Sequence, residues 1–226
     1  MTQVYCFSGS GHSRVIAEHL ADRLHTAVIP IKAKTKGKAR IALVIFPVYC
    51  QNIPPLVKQF LRDLDATYAV LIATYGQISH GNVLWEASRI TRAQIIAGAY
   101  IPTGHSFLGQ GADFCTASTD AILDRVAAPQ PAEIPRCGKN PFASFAPAWR
   151  SRIGLRLDKT EACNACGLCT RACPMGAMQN GTPDRRCIRC LRCVSACPQK
   201  ALRTRMHPVL SAYLRRQRHT DAEIYL

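Results

Sequence analysis

The sequence predicts two folds in one chain: a doubly wound α/β domain with a parallel sheet, then a small α+β domain built around cysteines. Three observations predict this. Apolar strand patterns alternate with amphipathic helical ones over the first 130 residues. The chain has 226 residues and 12 cysteines, and eight of these fall in two copies of one spacing. Charge is divided unevenly: residues 1–135 carry 12 Lys and Arg against 9 Asp and Glu, residues 136–226 carry 17 against 5.

The first strand is expected at residues 4–7, and Ser8-Gly9-Ser10-Gly11-His12-Ser13 follows at once. Residues 14–24 then place Val15, Ile16, Leu20 and Leu24 near helical spacing. Strand, small hydroxylated loop and helix together bind phosphate, because N–H groups at the helix start and serine hydroxyls donate toward one anion. The loop lacks the Gly-Lys-Ser/Thr of a Walker motif and the third glycine of a dinucleotide fingerprint. Lys32, Lys34, Lys36, Lys38 and Arg40, with Gly37 among them, read as a solvated hairpin-like connection. Further strands are expected at residues 27–31, 41–46, 69–74 and 98–102, and helices at 54–64, 82–96 and 118–127. In such sheets ligands bind beyond the carboxyl ends of the strands. The loops at residues 8–13, 47–55 and 75–81 converge there.

Prolines 129, 131, 135, 141 and 147 exclude one long helix after this domain. The stretch reads as a connection that wraps, with Phe142, Phe145 and Trp149 as apolar anchors. The expected division is residues 1–130, a linker at 131–156, a second domain at 157–206 and a tail at 207–226. The tail, from Pro208 to Arg218, reads as a short basic amphipathic helix packing Leu210 and Leu214 on the body.

The second domain rests on Cys163-Asn-Ala-Cys166-Gly-Leu-Cys169-Thr-Arg-Ala-Cys173-Pro174, repeated as Cys187-Ile-Arg-Cys190-Leu-Arg-Cys193-Val-Ser-Ala-Cys197-Pro198. A cubane cluster needs four converging thiolates, and in the two-cluster arrangement the fourth comes from the other run. Cys163, Cys166, Cys169 and Cys197 are therefore assigned to one 4Fe–4S cluster, and Cys187, Cys190, Cys193 and Cys173 to a second. The prolines restrain the residue before them and help aim the two distant ligands. Zinc would not explain a third cysteine and a proline at matching offsets, and disulfides require an oxidising compartment. These runs resemble the bacterial two-cluster ferredoxins over residues 155–205, which implies one-electron transfer at low potential.

The first domain resembles a flavodoxin, and the hydroxyl-rich loop at residues 8–13 carries the likeness. By that resemblance the loop holds the phosphate of FMN, with Ser8, Ser10 and Ser13 donating hydroxyls beside Gly11 and His12. Pro47-Val48-Tyr49-Cys50 resembles the second flavin loop, and Thr74-Tyr75-Gly76-Gln77 the third, which runs on to Gly81. The order of the two parts is similar to a family of fused flavodoxin–ferredoxin proteins, in which Gly104-His105-Ser106-Phe107 also recurs. His12 stands where flavodoxins commonly have Asn, and Gln77 where the fused family usually has Asn; both keep hydrogen-bonding capacity. Flavodoxins are typically acidic, and this half is not.

Composition narrows the function. The hydrophobic fraction of 48% is that of a globular protein. No apolar run reaches about 18 residues, so no membrane span is expected. Without a basic, apolar leader in view the setting expected is cytoplasmic. Each cluster with its four thiolates adds about −2, which leaves the second half at about +8. That charge suits an acidic redox protein (a flavodoxin, a ferredoxin or a reductase), whereas the folds that read nucleic acid are absent. The expectation is an electron-transfer oxidoreductase passing electrons between FMN and two clusters. The alternative is a flavin-dependent reductase of a small-molecule substrate. No residue stands out as its general acid.

Overall fold

The computed structural model describes residues 1–216 and 219–226; Gln217 and Arg218, at the end of the expected tail helix, lie outside the described residues. Five parallel strands form the centre: β1 (Thr2–Cys6), β2 (Val28–Pro30), β3 (Lys38–Pro47), β4 (Asp65–Tyr75) and β5 (Gln94–Pro102). Their order is β2-β1-β3-β4-β5. The chain leaves β1 for β2 on one side and returns to β3 on the other, so the order reverses beside β1. That switch point opens a crevice at the carboxyl ends of the strands.

Alternation along each strand divides the core into two layers. Ala42, Val44 and Phe46 of β3 face α2 (Pro55–Arg62) and α3 (Val83–Ser88), where Val57, Phe60, Leu61 and Leu84 meet them. Leu43 and Ile45 face the other side, against Ile16 and Leu20 of α1 (His12–Arg23) and Ile122 of α4 (Asp120–Ala127). Strands buried on both faces read as continuous apolar runs, which is why β3 and β4 are visible in the sequence.

Two expected elements differ. The helix expected at residues 82–96 ends at Ser88, and Gln94 already begins β5. Ile95, Ile96 and Ala97 are apolar for sheet burial and not for a helical stripe. The basic run at residues 32–40 forms no hairpin; its end, from Lys38, is the first turn of pairing between β3 and β4.

The connection is held differently from the expectation. Phe142 and Phe145 are 74% and 70% exposed and anchor nothing. Instead Ala132 N–H donates to the Ile95 carbonyl at 2.9 Å, and Ile134 packs where a Cβ on Gly98 would collide with it. Lys139 Nζ reaches Glu86 at 2.6 Å and Asn52 at 3.1 Å.

Beyond the connection, α5 (Pro147–Gly154) leads into β6 (Leu155–Lys159), which pairs antiparallel with β9 (Leu202–Met206). Between them lie α6 (Leu168–Ala172), the short pair β7 (Met178–Gln179) and β8 (Thr182–Pro183), and α7 (Arg192–Ser195). After β9, α8 (Pro208–Leu214) buries Leu214, and the chain returns to the large sheet. There β10 (Glu223–Tyr225) adds an antiparallel edge strand to β5. Among the described residues no helix is long and apolar enough to cross a membrane.

Candidate flavin cavity and cysteine loops

A cavity of about 750 Å³ lies over the carboxyl ends of β1, β3, β4 and β5. From the first loop it takes Ser8, Gly9, Ser10, His12 and Ser13. Ser8 is buried and its Oγ has no partner. An orphaned hydroxyl in the wall of a cavity fits a ligand that accepts hydrogen bonds. Ser13 Oγ stands 2.8 Å from Thr74 Oγ1, so its hydroxyl also ties α1 to β4. The N–H groups of His12 and Ser13, at the start of α1, have no intrahelical acceptor and stand beside this wall. Burial lowers the pKa of His12, against the opposing effect of its bonds to the Gly104 and Gln110 carbonyls. The imidazole therefore stays neutral near pH 7.

The second loop supplies Pro47, Val48, Tyr49 and Cys50. Tyr49 and Asn52 exchange N–H to carbonyl bonds of 3.0 and 2.9 Å around Cys50 and Gln51, both at positive φ. This is the two-residue turn that matches strand twist. Cys50 Sγ reaches the Ser151 hydroxyl at 3.2 Å. Burial pushes the Tyr49 phenol well above its ordinary range.

From the third loop come Thr74, Tyr75 and Gly76. Tyr75 Oη is buried without a partner, and burial raises its pKa to about 12. Gly11, Gln77 and Gly81 stand outside the lining. The Gly11 carbonyl starts α1 by accepting from Arg14 and Val15, and the Gln77 carbonyl accepts from His219 N–H at 2.7 Å. The Gly81 carbonyl accepts from the Tyr100 hydroxyl at 3.1 Å. His80, beside it, stacks on Tyr100 at 3.6 Å and bonds Glu223 of β10 at 2.9 Å.

The sequence marks Gly104 and His105 through the family resemblance, but the rest of the wall was missed. Thr103, Gly104 and His105 close one end, and the cavity is roofed by α5 and α8 through Trp149, Ile153, Leu210, Tyr213 and Leu214. His207 and Ile188 complete it. The amphipathic pattern of α8 was visible, but nothing local says that its apolar face covers a cavity of the first domain.

The two cysteine runs fold alike. Ala165 and Arg189, 24 residues apart, share a φ of 57°, and Gly167 and Leu191, and Gly176 and Lys200, are likewise paired in the left-handed region. Ala177 N–H donates to Cys173 Sγ at 3.2 Å, and Ala201 N–H to Cys197 Sγ at 3.3 Å. Cys163, Cys166, Cys169 and Cys197 frame one small cavity together. For the other set, burial raises Cys193 to about 12, with Cys190, Cys187 and Cys173 adding to it through their charges. Burial likewise raises Cys190 to about 11, with Cys173 and Cys187 contributing. The fold thus brings Cys197 beside the first run and Cys173 beside the second. Among the described residues no three His, Cys, Asp or Glu side chains gather around a single metal ion. Neighbouring thiols with a backbone donor at one sulfur of each set, Cys173 and Cys197, suit a cluster that deprotonates them on binding.

The parts meet at Gly9. A Cβ there would collide with the Cys190 carbonyl oxygen and lie 2.7 Å from the Tyr49 hydroxyl.

A family model described as a 4Fe-4S binding domain matches residues 159–179 and 184–203. No curated protein matches the chain. Among solved structures, a protein from Bacteroides uniformis described provisionally as a flavoprotein is 15% identical, with a TM-score of 0.37. That match covers 46% of this chain and 91% of that one. A protein from Bacteroides eggerthii with the same description is 16% identical, with a TM-score of 0.40, covering 56% of this chain and 98% of its own. The chain therefore joins a mostly parallel α/β sheet to a 4Fe–4S binding domain.

Proposed function

We infer that the chain is a cytoplasmic electron-transfer protein that passes electrons between FMN in the large cavity and two 4Fe–4S clusters. The contact of Gly9 with Cys190 carries this reading, because it sets a cluster ligand directly against the phosphate loop. Ile188, between the ligands Cys187 and Cys190, lines the same cavity. The strand order β2-β1-β3-β4-β5 is the flavodoxin-like one, whose flavin sits at the β1/β3 switch point. When bound, FMN supplies the conversion between two-electron and one-electron chemistry. The chain's own residues do the rest. Ser8, Ser10 and the first amides of α1 hold the phosphate. Tyr49 and Cys50, with the turn after them, bound one side of the cavity, Tyr75 and Gly76 another, and α5 and α8 exclude water from above. Amides at the cysteine sulfurs hold the clusters and tune them.

The first cysteine set is the more open, with Cys166 exposed. Arg171, Lys200 and Arg203 beside it are exposed as well. An acidic redox protein docks here, and its approach is steered by charge.

The test is anaerobic purification followed by stepwise reduction, read optically for flavin and by electron paramagnetic resonance for clusters. One FMN and two clusters in redox equilibrium are expected. Flavin that reduces without exchanging electrons with the clusters would sink the reading. One observation favours a second reading, the reduction of a small molecule at the flavin: Trp149, Leu210 and Tyr213 turn apolar surface into the cavity. Turnover of small organic acceptors by the anaerobically reduced protein would select it.

A further inference from the structure

Arg189 is 7% exposed and lies between the ligands Cys187 and Cys190. Its Nε donates to the Leu155 carbonyl at 2.8 Å, while Nη1 is buried with no partner. Among the described residues no carboxylate pairs with it, and Asp184, the acid of that loop, is held by Arg186 at 2.6 Å. A guanidinium stays charged at every relevant pH. A buried cation without a counter-charge is costly, and proteins rarely retain one unless something anionic meets it.

The repeat shows what is unusual. Ala165 occupies the same place in the first run, at the same φ of 57°, and is exposed. One loop sets a methyl group in water, and the other sets a cation in the interior. Arg185 and Arg186 are exposed and their charge is screened by solvent; Arg189 is not. It sits between the ligands Cys187 and Cys190 and is shielded from solvent, so its charge is felt at the cluster site of its own loop.

We propose that Arg189 is the internal counter-charge of the cluster held by Cys173, Cys187, Cys190 and Cys193, and makes it the higher-potential cluster of the two. This rests on the reading of both runs as 4Fe–4S sites. Reduction adds one electron, hence one negative charge, to the cluster, and a fixed cation in a low-dielectric surround favours that state. An electron leaving the exposed first cluster oxidises it by one and reduces the second by one, with no proton or leaving group. The second cluster abuts Gly9, so the charge of Arg189 directs electrons toward the flavin cavity.

The experiment is an anaerobic redox titration of the full chain by electron paramagnetic resonance, with iron and sulfide counted in every sample. Wild type should give two waves. In Arg189→Gln the upper wave should fall, shifting electron partition toward the first cluster at least tenfold, about 59 mV for one electron. Arg189→Lys, which keeps the charge, should hold partition close to wild type. An unmoved upper wave in Arg189→Gln, or an equal fall in Arg189→Lys, overturns the proposal. Should Arg189→Gln fail to load iron, wild type itself decides. The gap between waves should persist from roughly 0.05 to 0.5 M salt, because a buried charge escapes screening. A gap that closes with salt assigns it to surface arginines and overturns the proposal. Absence of two clusters in wild type would instead refute the underlying reading.

Discussion

Gly9 touches Cys190. Any side chain at Gly9 would take the place of the Cys190 carbonyl oxygen, and a Cβ there would stand 2.7 Å from the Tyr49 hydroxyl as well. Neither atom belongs to a flexible side-chain end: one is backbone, and the other tips a ring packed edge-on to Phe7 at 6.4 Å. Gly9→Ala must therefore push the cysteine loop away from the first loop. Overpacking of this kind costs about 1–3 kcal/mol. Thermal melting should show that loss, and stopped-flow reduction should show slower electron exchange between flavin and clusters at unchanged cofactor content. Wild-type exchange in a destabilised Gly9→Ala protein would mean that this contact is not the electron route.

Ser8 and Ser13 should separate in their effects. Ser8 Oγ is buried and unpartnered, so Ser8→Ala removes a donor meant for a ligand. The loss at a charged acceptor is about 1.5–3 kcal/mol of FMN affinity. Binding of riboflavin, which has no phosphate, should barely change. Ser13 is bonded to Thr74 at 2.8 Å, so Ser13→Ala should also lower the stability of the flavin-free protein, by about 1 kcal/mol. Titration calorimetry and thermal melting read the two quantities. Equal loss of FMN and riboflavin affinity in Ser8→Ala would remove the phosphate from this loop.

The sheet was legible because parallel strands bury both faces: residues 41–46 and 69–73 are apolar throughout and lie at the centre. The cysteine loops were legible because a repeated spacing leaves few geometries that satisfy it. What sequence could not give was long-range placement. Nothing local marks Trp149, Leu210 or Tyr213 as roof of a cavity built by β1 and β3. Nor does Glu223-Ile224-Tyr225, three residues at the end of a basic tail, announce itself as the edge strand beside β5. Nor could the sequence say that Arg189 is buried, because burial is a property of the surround and not of its neighbours in the chain.

The tail should come loose in acid. Burial opposes the charge of Glu223, but bonds from the Tyr225 hydroxyl and His80 outweigh it and hold its pKa below the ordinary value. The folded state then binds the proton less readily than the unfolded one. The stability this group contributes is complete above its unfolded pKa of about 4.3 and is lost as pH falls through the lower folded value. Glu223→Gln should flatten that part of the melting-temperature profile and speed hydrogen exchange in β10 at neutral pH. An unchanged acid profile in Glu223→Gln would detach the carboxylate from the stability of the tail.

On the proposed two-cluster reading, crossed ligation has its own signature, since the two cysteine sets are not equally placed. About eight irons and eight sulfides per chain are expected from the two-cluster pattern. Cys197 frames one cavity with Cys163, Cys166 and Cys169, while burial, with Cys190, Cys187 and Cys173 adding to it, raises the pKa of Cys193. Cys197→Ser should therefore lose the open cluster and keep the one against Gly9, with about four irons remaining and electron exchange with the flavin intact. Cys173→Ser should also keep about four irons, but lose that exchange, because the surviving cluster is the distant one. Iron counting alone cannot tell crossed from run-wise ligation, since both leave half the metal. The exchange rate can: if Cys197→Ser were the variant that isolates the flavin, each run would hold its own cluster and the crossed assignment would fall.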